Sequence, residues 1–386
     1  MQLPVDVKAL MDEAHHGEEA RACELAVSVY LDPTAPADVT AYVRSAFSSD
    51  RPNARITIAY LDDDYVIHPS DDMAVIVAGA SDEVGPAARQ MRDAGVPVMV
   101  VTTLPVCVDD IARAADAPIP EGDIVAPENP LFAHERSTGD VLSDVCAGAA
   151  GAVCAGAQAF SDVVPVLGKV AEAAGALKEA AQRTQEQQAY ERVRAAEARV
   201  AAAEAEPLAF DEAARDQVAE RMGAWVVAAC RSKKLAFAYA FSFVRRPLAR
   251  DAVTTTSLQN AAVGLVPLIP GADLPLMTLN QAKMVMQIAA AYGQPLGRER
   301  IPEVAAIVAN GFGCRALARK AVALVPGIGW AARPSIAYAG TAAVGCAIIE
   351  YFEGGGNLTG LAHVVEESAR AGAAAMDKVK GAVASA

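Results

Sequence analysis

Asn260–Gly293, NAAVGLVPLIPGADLPLMTLNQAKMVMQIAAAYG, is an apolar arm, a Pro-Gly turn and a second apolar segment with a single lysine, Lys283. Pro267 and Pro270 each lack a backbone N–H and bias the residue before them away from helix. Gly271 tolerates the backbone conformations of a turn. Asp273 is placed to cap a new helix, with Pro275 in its first turn, where a missing donor does no harm. Leu274, Met277, Gln281, Met284, Ile288 and Tyr292 follow a three-to-four spacing and share one face of that helix. Gln281 and Tyr292 put polar groups on this face; Gln281 is either a core amide bonded by its neighbours or a latch to a partner helix. The pattern predicts a helical hairpin, buried in protein or in contact with a membrane, and it contains no constellation of catalytic groups.

Outward from the hairpin, composition sets the bounds. A length of 386 residues predicts two or three domains. The chain is 53% hydrophobic but only 5% aromatic, so its cores are filled largely by small side chains. Residues 1–140 hold 25 Asp and Glu against 9 Lys and Arg, a net of −16; with −14 for the whole chain, +2 is left for residues 141–386. So acidic an N-terminal part argues against nucleic acid as its partner. Basic clusters lie later, at Arg231/Lys233/Lys234, Arg245/Arg246/Arg250 and Arg315/Arg319/Lys320, and fit an anionic lipid surface, a solvated helix face or the acidic domain. Seven scattered cysteines without a C-x-x-C pair predict neither a zinc site nor a disulfide framework. The charged N-terminus, MQLPVDVKALMDEAHHGEE, lacks the apolar core of a signal peptide, and a cytoplasmic location is expected.

Residues 1–136 alternate β-rich apolar runs with helical segments. Strands are predicted at Leu25–Leu31, Arg55–Leu61, Met73–Ala80, Val96–Thr102 and Asp123–Ala126. Helices are predicted near Ala37–Phe47, Glu83–Ala94 and Val108–Ala115, with Gly95 as a C-cap. This alternation predicts an α/β domain with a mostly parallel sheet covered on both faces. His15-His16 beside Glu18 and Glu19, and Asp62-Asp63-Asp64 with Asp71-Asp72, are read as solvated charged segments, so no metal and no cofactor is expected.

DDMAVIVAGA, a helix and then AGVPVMVVTT resemble the latter half of a small GTPase domain. The phosphate-binding parts of that family are missing. After the first strand stands Asp32-Pro33-Thr34-Ala35-Pro36-Ala37-Asp38, without glycine or lysine and with two acids. Where an Asn-Lys-x-Asp would follow the fourth strand, the chain has Thr102-Thr103-Leu104-Pro105. The resemblance therefore implies a degenerate, pseudo-GTPase head; the alternative is an unrelated doubly wound domain.

Residues 137–204 are expected to form a small-residue helix and a long helical connector. Val145–Ser161 is 17 residues without a charge, either a packed helix or a membrane-contacting segment. Residues 205–386 are expected to form an all-α domain with apolar hairpins and a C-terminal tail. Pro326, Gly327 and Gly329 set a second turn before a last apolar helix, Pro334–Phe352, that Gly354-Gly355-Gly356 stops.

The string Pro267-x-Ile269-Pro270-Gly271-Ala272-Asp273-Leu274-Pro275-Leu276, with Gln281, Met284 and Tyr292-Gly293, resembles the YcjF-type family, as do Val325-Pro326-Gly327-x-Gly329 and Tyr351-Phe352-Glu353. That resemblance spans about Ala249–Glu353. It implies a helical domain attached to or encoded near GTPases, in some members at the bacterial inner membrane, and it carries over no catalytic residues. The expected function is a non-enzymatic scaffold or partner associated with a membrane or a GTPase. A homo-oligomer and an anionic membrane surface are compatible partners. The alternatives are a soluble helical adaptor or self-assembling protein and, last, a nucleotide hydrolase with an atypical phosphate loop.

Overall fold

The computed structural model describes residues 7–62, 64–129, 199–265, 273–295 and 333–356. After α1 (Val7–Ala22), the chain runs β1 (Leu25–Leu31), α2 (Ala37–Ala46), β2 (Ala54–Tyr60), β3 (Met73–Val77), α3 (Val84–Asp93), β4 (Val98–Val101), α4 (Pro105–Ala114) and β5 (Ile124–Val125). The strands form one sheet in the order β2-β1-β3-β4-β5, and every pairing is parallel. That is the flavodoxin-like doubly wound order, whose switch point lies between β1 and β3. β3 and β4 are buried at every residue, as strands covered on both faces must be, whereas the edge strand β2 is half exposed.

Alternation along the strands sends Ala74, Ile76, Val98 and Val100 to one face, where they meet Val84, Ala87, Ala88 and Met91 of α3 and Val108 and Ala112 of α4. α2 packs through the buried Val39 and Val43. Gly95, at φ +83°, ends α3 in the left-handed conformation that glycine adopts without strain. Its N–H donates to the Arg92 carbonyl at 2.9 Å, and the Val96 N–H donates to that of Met91 at 3.0 Å.

The described residues fall into two compact units. The first is the sheet with α2, α3, α4 and the end of α1 from Glu19, plus residues 199–248, namely α5 (Glu212–Ala229), α6 (Lys234–Ala240) and the 3-10 turns around them. Residues 205–248 were expected in the all-α domain; instead they pack on the sheet. Trp225 Nε1 donates to Asp123 Oδ1 at 2.9 Å, Arg221 donates to the Ala126 carbonyl at 2.8 Å, and the Glu128 N–H donates to Gln217 at 2.9 Å, so α5 runs along the β5 side. Phe47, at the end of α2, meets Phe241 and Phe243 edge-on at 5.2 and 5.1 Å. α5 meets β5, and it buries Val218, Met222, Trp225 and Val226.

The second unit is helical: α1 as far as Glu18, α7 (Arg245–Leu265) from Ala249 onward, α8 (Asp273–Ala291) and α9 (Arg333–Glu353). The hairpin turn at Pro267, Pro270 and Gly271 and the second turn at Pro326, Gly327 and Gly329 lie outside the described residues, as does Val145–Ser161. Among the described residues no helix is long and apolar enough to cross a membrane.

Candidate functional site at the carboxyl edge of the sheet

In doubly wound sheets, ligands bind beyond the carboxyl ends of the strands at the switch point. Here that crevice is bounded by the residues after β1 and β3. Asp32, the first residue past β1, is 3% exposed. Its carboxylate accepts from the Gly79 N–H at 2.7 Å and from the Thr34 N–H at 2.9 Å, and the Thr34 hydroxyl donates to both oxygens at 2.9 and 2.8 Å. The Asp-Pro-Thr sequence favours this arrangement, because an Asp side chain readily bonds the backbone two residues on. Gly79 is required by close approach: a Cβ there would lie 2.3 Å from the Thr34 carbonyl carbon and oxygen. The backbone amides that could cradle a phosphate at this turn thus hold the chain's own carboxylate.

The next opening along the edge is closed the same way. α4 begins with Pro105, which has no N–H to satisfy. The following two amides, of Val106 and Cys107, donate to the Glu206 carboxylate at 2.7 and 3.1 Å, a cap supplied from 99 residues away. The Leu208 N–H donates to the Thr103 carbonyl at 2.8 Å, which fixes this segment against the end of β4. Arg199 donates to Asp109 and Asp110 on α4 at 2.6 and 2.7 Å, and Arg113 donates to Asp109 at 2.8 Å. Burial pushes the Asp109 carboxyl upward, but hydrogen bonds from Arg113 and Arg199 outweigh it and hold the group below its ordinary value. A cysteine at a helix N-terminus is often activated. Cys107 is not, because burial and then the Glu206 and Asp110 charges raise its thiol.

The opposite edge is also salt-bridged. Asp71 pairs with Arg55 at 3.1 Å and accepts from Ser28; Asp72 pairs with Lys233 at 2.7 Å. One member of the first basic cluster is therefore spent inside the α/β unit. No group of three or more His, Cys, Asp or Glu converges among the described residues.

The residues singled out on α8 come together in the helical unit. Gln281 is 2% and Met284 0% exposed, with Met277 and Ile288 buried beside them. Gln281 donates to the Thr341 hydroxyl on α9 at 3.4 Å, and Asn260 on α7 donates to the same oxygen at 3.1 Å. Asn280 donates to the Asn260 side-chain oxygen at 3.1 Å, so one buried polar cluster ties three helices. Tyr292 stacks on Phe352 at 5.6 Å and donates to Glu353 at 3.0 Å. Asp273 is the first residue of α8. The sequence reading passed over Gly79, Glu206, Arg199, Asn260 and Thr341. Only the Asp-x-Thr turn carried a local signal; the other partners are set by distant contacts.

No protein-family model matches the chain, and no solved structure matches it. Magnetosome membrane protein 22 of Magnetospirillum gryphiswaldense is 30% identical over 123 residues, which is 30% of this chain and 62% of the relative. The match thus spans less than two thirds of that relative's length.

Proposed function

We propose that this protein is a non-enzymatic scaffold or partner whose α/β head is a pseudo-GTPase-type domain, and which associates with an anionic membrane surface peripherally. The single observation that carries the reading is Asp32: a buried carboxylate fills the β1/β3 switch point and takes the Thr34 and Gly79 amides. Added phosphate would have to displace it and face its charge. The segments bordering the edge, 32–38, 78–83 and 102–105, contain no Lys, Arg or His to offset that repulsion.

Three things support the membrane part. They are the resemblance to YcjF-type proteins, the similarity to a magnetosome membrane protein, and the basic clusters of the C-terminal half. The buried Asn260–Gln281–Thr341 cluster favours a protein core over lipid for the faces it occupies, since both amides donate to the Thr341 hydroxyl across helices. A GTPase remains the partner that the YcjF resemblance implies.

The test is calorimetric titration of the full chain with GTP and GDP in the presence of Mg²⁺. No saturable binding below about 1 mM is expected; a micromolar dissociation constant overturns the proposal.

A further inference from the structure

Away from the carboxyl edge, the α/β unit carries a cavity of about 730 Å³, within the size range of small-ligand sites. It lies between the end of α2 with the loop after it and residues 239–245. Its walls are held firmly. Phe47 packs edge-on against Phe241 and Phe243, which stack on each other, and the Ser49 hydroxyl donates to the Ala240 carbonyl at 3.0 Å. Tyr42 and Phe243 supply aromatic surface.

The polar lining is cationic and rich in donors. The Arg51 guanidinium lies over the Tyr239 ring, 4.3 Å from its centroid, and Nη1 donates to the Tyr239 hydroxyl at 3.2 Å. Stacking fixes the plane of the guanidinium and leaves further N–H groups on its edge, the geometry that suits a tetrahedral oxyanion. Among the described residues no carboxylate lies within ion-pair distance of Arg51, in a domain where acids outnumber bases. The Arg21 guanidinium also flanks the Tyr239 ring, at 5.7 Å. Arg245 is half-buried in the lining, where its Nε donates to the Ala238 carbonyl at 3.2 Å. The Ser45 and Ser242 hydroxyls line the same space and have no hydrogen-bond partner among the described residues. Asp50 is the one acid in the lining.

We infer that this cavity binds a phosphate-bearing anion, with Arg51 as its principal charge contact and Ser45, Ser242 and the Tyr239 hydroxyl as further donors. Two sources share this chemistry: a soluble phosphate ester, or the phosphodiester of an anionic lipid headgroup. The lipid source rests on the membrane reading above; the soluble source does not.

The experiment uses the full chain. Inorganic phosphate and glycerol 3-phosphate are titrated by calorimetry, and vesicles of phosphatidylglycerol or of phosphatidylcholine are tested by flotation. Arg51→Gln removes the cation, and Ser242→Asp sets a carboxylate in the cavity from an exposed turn. At least one phosphate probe is expected to bind the wild type, and each variant is expected to weaken it about tenfold or more at unchanged Tm. Binding of the soluble ester identifies a small-molecule site. Binding of phosphatidylglycerol vesicles alone, lost in the same variants, identifies a headgroup site. If soluble ester binds while vesicles do not, the membrane reading falls and the cavity assignment stands. The inference is overturned if no probe binds the wild type, or if binding is unchanged in both variants. Should Arg51→Gln fail to fold, Ser242→Asp alone decides.

Discussion

The Asp32 carboxylate lies 2.7 Å from the Gly79 N–H, across the gap between the ends of β1 and β3. One buried charge, held by two amides and one hydroxyl, thereby joins two strands at the point where a doubly wound fold ordinarily receives a ligand. The arrangement ties the ends of β1 and β3 together.

Asp32→Ala leaves the buried Gly79 amide without an acceptor and frees the Thr34 amide and hydroxyl at the exposed turn. A loss of about 3 kcal/mol in unfolding free energy is expected, read from urea denaturation of the full chain. Gly79→Ala is expected to cost at least as much, because its Cβ would meet Thr34 backbone, which cannot swing aside. Wild-type midpoints in both variants would remove the structural role of this contact.

In the helical unit, Thr341 serves as acceptor for both Asn260 and Gln281. Thr341→Val keeps the shape and removes the acceptor, with an expected loss of about 2–3 kcal/mol; Thr341→Ser keeps the hydroxyl and is expected to lose about 1 kcal/mol or less. Equal losses in the two variants would show that packing, not the polar cluster, sets the effect. Gly345 gives a companion test. A Cβ there would lie 2.3 Å from Val253 Cγ2, so Gly345→Ala is expected to destabilise and Val253→Ala to relieve it in the double variant.

Asp109 gives a pH dependence with a definite sign. Its folded value is depressed because the Arg113 and Arg199 hydrogen bonds outweigh burial. Its contribution is therefore present above the ordinary aspartate value of about 3.9 and is lost as pH falls through the lower folded value. Arg199→Ala is expected to lower stability at neutral pH by about 1 kcal/mol or less, since the arginine is 41% exposed and water screens the pair. The gap from wild type is expected to narrow as pH falls through that lowered value; a gap unchanged in acid would mean that Arg199 acts through packing instead.

Much of this architecture was legible in the sequence. The run Leu25–Leu31 has the bounds of β1, and the five strands fall where the β-rich runs are; β1, β3 and β4 stand out because strands buried on both faces are apolar almost throughout. Gly95 was legible as a C-cap for the same local reason. The Gln281 face of α8 followed from helical spacing. The placement of 212–248 was not legible: Trp225 and Phe241 are apolar residues that fit either unit, and only their contacts with Asp123 and Phe47 assign them. Asp32 was visible as an acid where a phosphate loop would lie. That it is a buried partner of Gly79, 47 residues on, depends on strand order, which no local pattern encodes.

Membrane association makes its own prediction. Flotation with anionic vesicles is expected at low salt and release at high salt, because surface contacts by lysine and arginine are screened. Flotation that persists at high salt would contradict a peripheral mode and point to insertion.

The most direct test of the closed switch point is amide hydrogen exchange at Gly79 and Thr34 in the full chain, with and without millimolar GTP and Mg²⁺. Both amides are expected to exchange as slowly as those of β3 and to be unaffected by nucleotide. Fast exchange at Gly79 in the free protein, or new protection at these two amides when GTP is added, would contradict the account.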